Sequence, residues 1–191
     1  MKFSFNSVCI DIETTDISSE IGSIIQIGAI FLNDEFEEID SFSTYIFPLD
    51  SHRNQKAMAV NKISEDILSH SPTLSEALEL FENFVFQKKE NKKNRLAAWG
   101  AYFDIPFLRA QYKKINRDWP FGHKSIDLKS IATWELSKRN IPLNGGVEKA
   151  LRYLNLEFEG RQHDALADIK NSVRILKKIA AQEKLKTGWN T

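Results

Sequence analysis

SVCIDIETTD, residues 7–16, sets two carboxylates, Asp11 and Glu13, two residues apart inside an apolar run. In extended chain, successive side chains leave opposite faces. Asp11 and Glu13 therefore share one face, while Val8, Ile10 and Ile12 take the other. Residues 5–12 read as a strand with one apolar and one acidic face. Thr14-Thr15-Asp16 reads as the turn that ends it, with small hydroxyls and backbone N–H groups open to an anion. A half-exposed strand that merely turns polar residues to water has the same spacing, so the pair gains meaning only from the rest of the chain.

Outward from this stretch, SIIQIGAIFL (23–32) and DSFSTYIF (40–47) read as two further strands, and the short connections predict an antiparallel meander. Leu74, Leu78, Phe81 and Val85 recur at helical spacing behind Ser71-Pro72-Thr73, which predicts a helix over 74–88. A short apolar strand follows at 96–99, then a helix over 104–116 with Pro106 in its first turn. Residues 126–138 and 147–154 are helical candidates. Ala165, Ile169, Val173, Leu176 and Ala180 form one apolar stripe on a last helix over 164–184. Three strands, then helices alternating with one or two more, predict an α/β architecture, a mixed sheet with helices packed on it.

The 191 residues carry no Pro/Gly/Ser-rich linker or composition shift, so residues 1–191 read as a single domain. With 42% hydrophobic and 27% charged residues the composition is that of a globular protein. The formal net charge of zero argues against broad electrostatic attraction to a polyanion and leaves binding to local groups. The lone Cys9 cannot close an internal disulfide, and MKFSFNSVCI lacks the pattern of a signal peptide. No run of ~18 apolar residues suggests a membrane span. A cytoplasmic location, with no membrane partner, is the expectation.

Three further residues join the acidic pair. Asp104 in WGAYFD follows an apolar strand directly and shares a helical face with Leu108, Gln111 and Ile115, which aims its carboxylate at the sheet. As a plain helix cap it would need no such face. Asp168 borders the buried stripe of the last helix, where a carboxylate needs a partner. His163 lies five residues earlier, at or just before the helix start. Four carboxylates within ~4 Å would repel by roughly 4 kcal/mol per pair at an effective dielectric near 20, so gathering them calls for cations. All-oxygen donors favour Mg²⁺ or Mn²⁺ over zinc. Two such ions ~3.5–4 Å apart suit hydrolysis of a phosphodiester, with a neutral-range imidazole to take the proton of water.

On these residues the chain resembles the DEDD exonucleases of the DnaQ type, in the DEDDh subclass whose last motif is H-x-x-x-x-D. DIETTD resembles D-x-E-T-T-G, IIQIGAI the second strand, WGAYFD the second motif and HDALADIKNSVRIL the third. WGAYFD with GVEKALRYLNLEFEGRQHDALAD is most similar to the histone-mRNA and small-RNA exonuclease branch and its bacterial relatives. The resemblance implies a ribonuclease-H-like mixed five-stranded sheet flanked by helices. It also implies 3′-to-5′ release of nucleoside 5′-monophosphates from single-stranded RNA or DNA ends, RNA slightly ahead. By motif position it implies Asp11, Glu13, Asp104 and Asp168 as ligands of two ions and His163 as general base. Thr14, Thr15, Val60, Asn61, Gly100 and Phe103 are the implied substrate contacts. Asp16 departs from the usual glycine, Gly100 stands where many members have asparagine, and Asn61 where some have histidine. Many relatives pair as homodimers, though no surface stripe in this sequence argues for one. A DNA proofreading or repair exonuclease, and a non-catalytic module that grips nucleic-acid ends or regulates through protein contacts, are the alternatives.

Other features read as ordinary surface or core. The basic run KKENKKNR (88–95) reads as a solvated loop, and Lys124, Lys129 and Arg161 as surface charges. Asp127 reads as an N-cap. Phe103 and Tyr102 offer rings to a base or, beside Asp104, to the core, whereas Trp99, Trp119, Trp134 and Trp189 show no spacing of a stacking platform.

Overall fold

The computed structural model describes residues 7–33, 36–87 and 95–187. The first two residues of the expected opening strand, most of the basic run at 88–95, and Trp189 lie outside them. Strands β1 (Ser7–Thr14), β2 (Ile24–Leu32) and β3 (Glu38–Tyr45) form the expected antiparallel meander. β4 (Arg95–Ala98) and β5 (Ser125–Asp127) then add in parallel, in the order β3-β2-β1-β4-β5. β1, β4 and β5 thus end at the same edge of the sheet, where ligands of such sheets bind.

Alternation along β1 divides the core in two. Val8, Ile10 and Ile12 join a cluster with Leu78 and Phe81 of α3 (Leu74–Phe86) and Leu108 and Tyr112 of α4 (Ala101–Lys114). Cys9 faces the other side, against Leu128 and Leu136 of α5 (Leu128–Ser137), Leu151 of α6 (Val147–Tyr153) and Ile169, Val173 and Leu176 of α7 (Ala165–Thr187). By parity Asp11 and Glu13 share the face of Cys9, toward α7. Burial pushes the Cys9 thiol up to about 12, so it acts as a small apolar side chain.

β2 is buried along its whole length, and two of its α7-facing residues are not large hydrophobics. Gly28 pairs with Asp11 and lets the start of α7 lie directly on the strand: a Cβ there would sit 2.3 Å from the Leu166 nitrogen and 2.4 Å from the Ala165 carbonyl carbon. Gln26 donates to Asp164 Oδ2 (2.9 Å) and accepts from the Ala165 N–H (3.2 Å). Together they fix the N-terminus of α7 over the sheet.

The structure revises three expectations. Residues 55–61 and 65–69 form short helices, α1 (Gln55–Asn61) and α2 (Glu65–Ser69), capped by Asn54 and Ser64. Helices this short have little stability of their own, so the chain's periodicity does not announce them. Residues 126 and 127 belong to β5 rather than to the following helix. α4 begins at Ala101, three residues before the expected start, because the Ala101 N–H is capped from a distance by Asp127 Oδ2 (2.9 Å). Asp104 is therefore inside the first turn, not its cap, and Pro106 lies in the helix interior. α3 carries the expected cap at Thr73, as a capping box with Glu76.

Candidate active site

Three segments distant in sequence meet at the edge where β1 and β4 end. β1 presents Asp11 and Glu13 toward α7, and its pairing with β2 becomes irregular between Glu13 and Thr14. α4 brings Asp104 over the end of β1, buried to 4% exposure, where its carboxylate accepts from its own backbone amide and from those of Ile12 and Gly100. α7 brings Asp168. The turn before α7 holds His163 in the left-handed region (φ 58°), and the His163 backbone N–H donates to Asp168 Oδ2 (3.0 Å). One ligand atom from each of Glu13, His163 and Asp168 lies within 4.8 Å of the others. The imidazole is exposed to solvent.

Burial first, and neighbouring carboxylates second, hold these acids far from their ordinary ionisation. Burial, then Asp104, Asp168, Glu13 and Asp164, raises the Asp11 carboxyl well above the usual range. Burial first, and then Asp168, Asp164 and Asp104, pushes Glu13 up to about 8. Asp104 rises to about 7 through burial, tempered by the amides it accepts from. Asp168 rises to about 6 through burial, tempered by His163. Crowded, desolvated carboxylates of this kind want a hard cation, and an all-oxygen set fits Mg²⁺ or Mn²⁺.

Linkage gives that crowding a measurable sign. A carboxyl whose pKa is raised on folding keeps a proton in the native state that the unfolded chain gives up, so stability falls as pH climbs. The window runs from the unfolded values of 3.8 and 4.5 up to about 8. In chelator the melting temperature is expected to drop between about pH 5 and pH 8, and saturating Mg²⁺ or Mn²⁺ to reverse most of the drop. Thermal melts with and without the ions check this; a flat profile in chelator would contradict the crowding.

Two neighbours escaped the sequence reading. Asp164 caps α7 by accepting from the Ala167 N–H (3.1 Å), yet its charge also reaches Asp11 and Glu13. Its place one residue after His163, before an apolar stripe, is a readable cap signal. Arg161, expected as a plain surface charge, lies 3.9 Å from Asp164 and opposes the rise at Glu13.

The implied substrate contacts divide. Val60 is exposed on α1, and Gly100 is partly open. Phe103 is half-buried, its ring 5.5 Å from that of Phe107. Thr14, Thr15 and Asn61 are enclosed, which corrects the expectation of free hydroxyls. The Thr14 hydroxyl donates to the Asp16 carbonyl (2.8 Å), and Thr15 Oγ1 accepts from the Ser23 N–H (2.9 Å). Thr15 also gives its own N–H to the Ser23 carbonyl. The Asn61 amide donates to the Thr14 carbonyl (3.2 Å) and accepts from the Ile63 N–H (3.1 Å). These three build the turn instead of reaching out from it. Asp16, in place of the usual glycine, accepts from Asn54 and the Ser18 N–H and pairs with His52 (each 2.9 Å), clamping the start of α1 to the turn. These contacts lower its pKa to about 2.

Comparison with known proteins agrees with this architecture. The epsilon subunit of DNA polymerase III from Treponema pallidum is 32% identical over 155 residues, covering 81% of this chain and 66% of that subunit. The 3′-5′ DNA exonuclease Cap18 of Escherichia coli is 26% identical over 190 residues, 93% of this chain and 95% of that protein. Among solved structures, the nuclease domain of 3′hExo, a DEDDh family member bound to rAMP, superposes with a TM-score of 0.81 at 21% identity, covering 95% of both chains. The likeness confirms the mixed-sheet, ribonuclease-H-like fold. The RNase_T family model, described as exonuclease, matches residues 8–176, and by that match over most of its length the chain belongs to the exonuclease family.

Proposed function

We propose that the protein is a metal-dependent 3′-to-5′ exonuclease that shortens single-stranded nucleic acid one nucleotide at a time. The observation that carries this reading is the meeting of Asp11, Glu13, Asp104 and Asp168 from three segments, each with its acidity suppressed by burial, and Asp11 and Glu13 also by the other acids. In this reading those four hold two Mg²⁺ or Mn²⁺ ions. Bound there, the ions would supply Lewis acidity at the scissile phosphate. The bond that forms joins water oxygen to phosphorus, and the bond that breaks is that to the 3′ oxygen. The products are a nucleoside 5′-monophosphate and a strand one residue shorter.

His163 accepts the proton of the attacking water on a ring nitrogen and passes it to solvent, which its exposure permits. Its left-handed backbone and the hydrogen bond from its backbone N–H to Asp168 hold the ring beside Glu13 and Asp168. His163→Ala is expected to slow turnover roughly 10²- to 10⁴-fold with an unchanged melting temperature. Turnover within a few-fold of the parent would remove the base assignment.

Arg161 offsets part of the negative field that an approaching phosphate would meet. The sugar preference shifts from the earlier expectation. Two relatives by sequence are named as a DNA polymerase subunit and a DNA exonuclease, so DNA ends come first. RNA is the second reading, favoured by the rAMP held by the 3′hExo nuclease domain. A cytoplasmic setting belongs to the same reading and suits the free Cys9. End-labelled DNA and RNA strands incubated with Mg²⁺, with Mn²⁺ and with chelator test it. Ion-dependent release of mononucleotides is the expected result; retention of intact strands under all conditions would favour a non-catalytic end-binding module.

A further inference from the structure

Tyr102 and Trp134, 32 residues apart in the chain, line one groove of about 420 Å³ together with Asp127, Lys129, Ser130 and Thr133. Both aromatics are unusually open for their size, Tyr102 at 78% exposure and Trp134 at 66%. Sequence spacing hides the pair because the two rings come from different helices, α4 and α5.

The groove continues the carboxylate site. β1, β4 and β5 run parallel and end at one edge, so the residues that follow them are set side by side at ~4.8 Å per strand. Asp11 and Glu13 lie on β1, Gly100 to Asp104 follow β4, and Asp127 to Trp134 close β5 and run into α5. Tyr102 is the link. Its ring lies 3.6 Å from where a Gly100 Cβ would stand, and that position is 3.8 Å from Asp104 Oδ2. At the end of β1 away from β4, α1 is tied to the Thr14–Asp16 turn, Asn54 donating to Asp16 Oδ2 and Asn61 to the Thr14 carbonyl. A strand entering the site therefore has its open path over β4 toward β5.

The chemistry of the groove suits a polyanion with flat bases. Two exposed rings offer stacking surfaces. Lys129 supplies positive charge for a phosphate. Asp127, the groove's acid, turns both oxygens inward, one to the Ala101 N–H (2.9 Å) and the other to the Ser130 N–H (2.6 Å). The volume lies at the low end of ordinary ligand sites, in a groove open to solvent along which a strand can continue.

We propose that this groove is a binding subsite for single-stranded nucleic acid upstream of the scissile phosphate, with Trp134 and Tyr102 stacking on bases and Lys129 meeting the backbone. The inference rests on the exonuclease reading of the adjoining acids. It makes the enzyme length-sensitive: strands long enough to reach Trp134 bind more tightly than dinucleotides.

The test compares the full chain with its Trp134→Ala and Trp134→Phe variants. KM and kcat are measured on a dinucleotide and on a ten-nucleotide strand, and binding of the labelled ten-nucleotide strand is followed by fluorescence anisotropy in chelator. Loss of one stacked base is expected to raise KM on the longer strand roughly 5- to 100-fold more than on the dinucleotide. kcat should change little, Trp134→Phe should recover most of the loss, and anisotropy should weaken in parallel. Equal KM ratios for parent and Trp134→Ala, or equal losses on both substrates, would overturn the subsite. A groove that serves a protein partner gives the first of those results. Binding in chelator that depends on Trp134, without any nucleotide release when ions are added, would instead sink the exonuclease reading and leave the subsite standing.

Discussion

Asp11→Asn is expected to abolish measurable nucleotide release while making the ion-free protein more stable. The substitution keeps shape and volume but deletes the charge that Asp104, Asp168, Glu13 and Asp164 all oppose. Burying a charge among like charges is costly, and the neutral amide escapes that cost. In chelator near pH 8 the melting temperature should therefore rise, by roughly 2–4 °C for each kcal/mol of repulsion relieved in a chain of this size. The stabilisation by Mg²⁺ or Mn²⁺ should shrink at the same time, because one ligand has gone. An ion's Lewis acidity contributes several kcal/mol at a phosphoryl centre, and each ~1.4 kcal/mol is a factor of ten. The rate should fall about 10³- to 10⁵-fold. Rates on labelled strands and melts with and without ions together decide the matter. Activity within tenfold of the parent would show that Asp11 is no ligand, and a lowered melting temperature in chelator would show that its charge is not under repulsion.

Much of this site could be read from the chain, and the reasons differ by residue. Two-residue alternation put Asp11 and Glu13 on one face of β1, and the division of the core by Val8, Ile10 and Ile12 on one side and Cys9 on the other bears that out. The helical face of Asp104, Leu108 and Gln111 is buried as its spacing implied, although the helix starts earlier. That earlier start depends on Asp127 from another strand, a tertiary contact that local rules do not contain. The short helices α1 and α2 likewise depend on anchors such as the Asn61 amide to the Thr14 carbonyl. Thr14 and Thr15 were misread because hydroxyls in a turn serve either a ligand or the turn itself, and only the fold decides which. The pairing of Tyr102 with Trp134 is invisible for a similar reason: parallel strands bring together helices that no sequence period connects.

The largest structural effect hangs on a residue whose reason is equally hidden, Gly28. A glycine inside a strand weakens it and marks either a bulge or the close approach of another backbone. Here it is approach. A Cβ at Gly28 would stand 2.3 Å from the Leu166 nitrogen, 2.4 Å from the Ala165 carbonyl carbon and 2.6 Å from the Ala165 oxygen, where ordinary contact begins near 3.4 Å. All three are backbone atoms, so trimming a side chain on α7 cannot relieve the clash. Gly28→Ala must push the helix start away by about 1 Å or bend β2, an overpacking that typically costs ~1–3 kcal/mol. The melting temperature is expected to fall by roughly 2–12 °C. Catalysis should suffer beyond that. The same helix start carries Asp168, and the turn before it carries His163, both tied to β2 through Gln26 and its bonds to Asp164 and Ala165. A displacement near 1 Å is enough to lower turnover about 10²-fold even where the protein stays folded. Melts and rates on the purified variant, read well below its melting temperature, separate the two effects. Parental values for both would mean that α7 does not rest on Gly28, and the route by which a bare strand position places the histidine and the last acid would be lost.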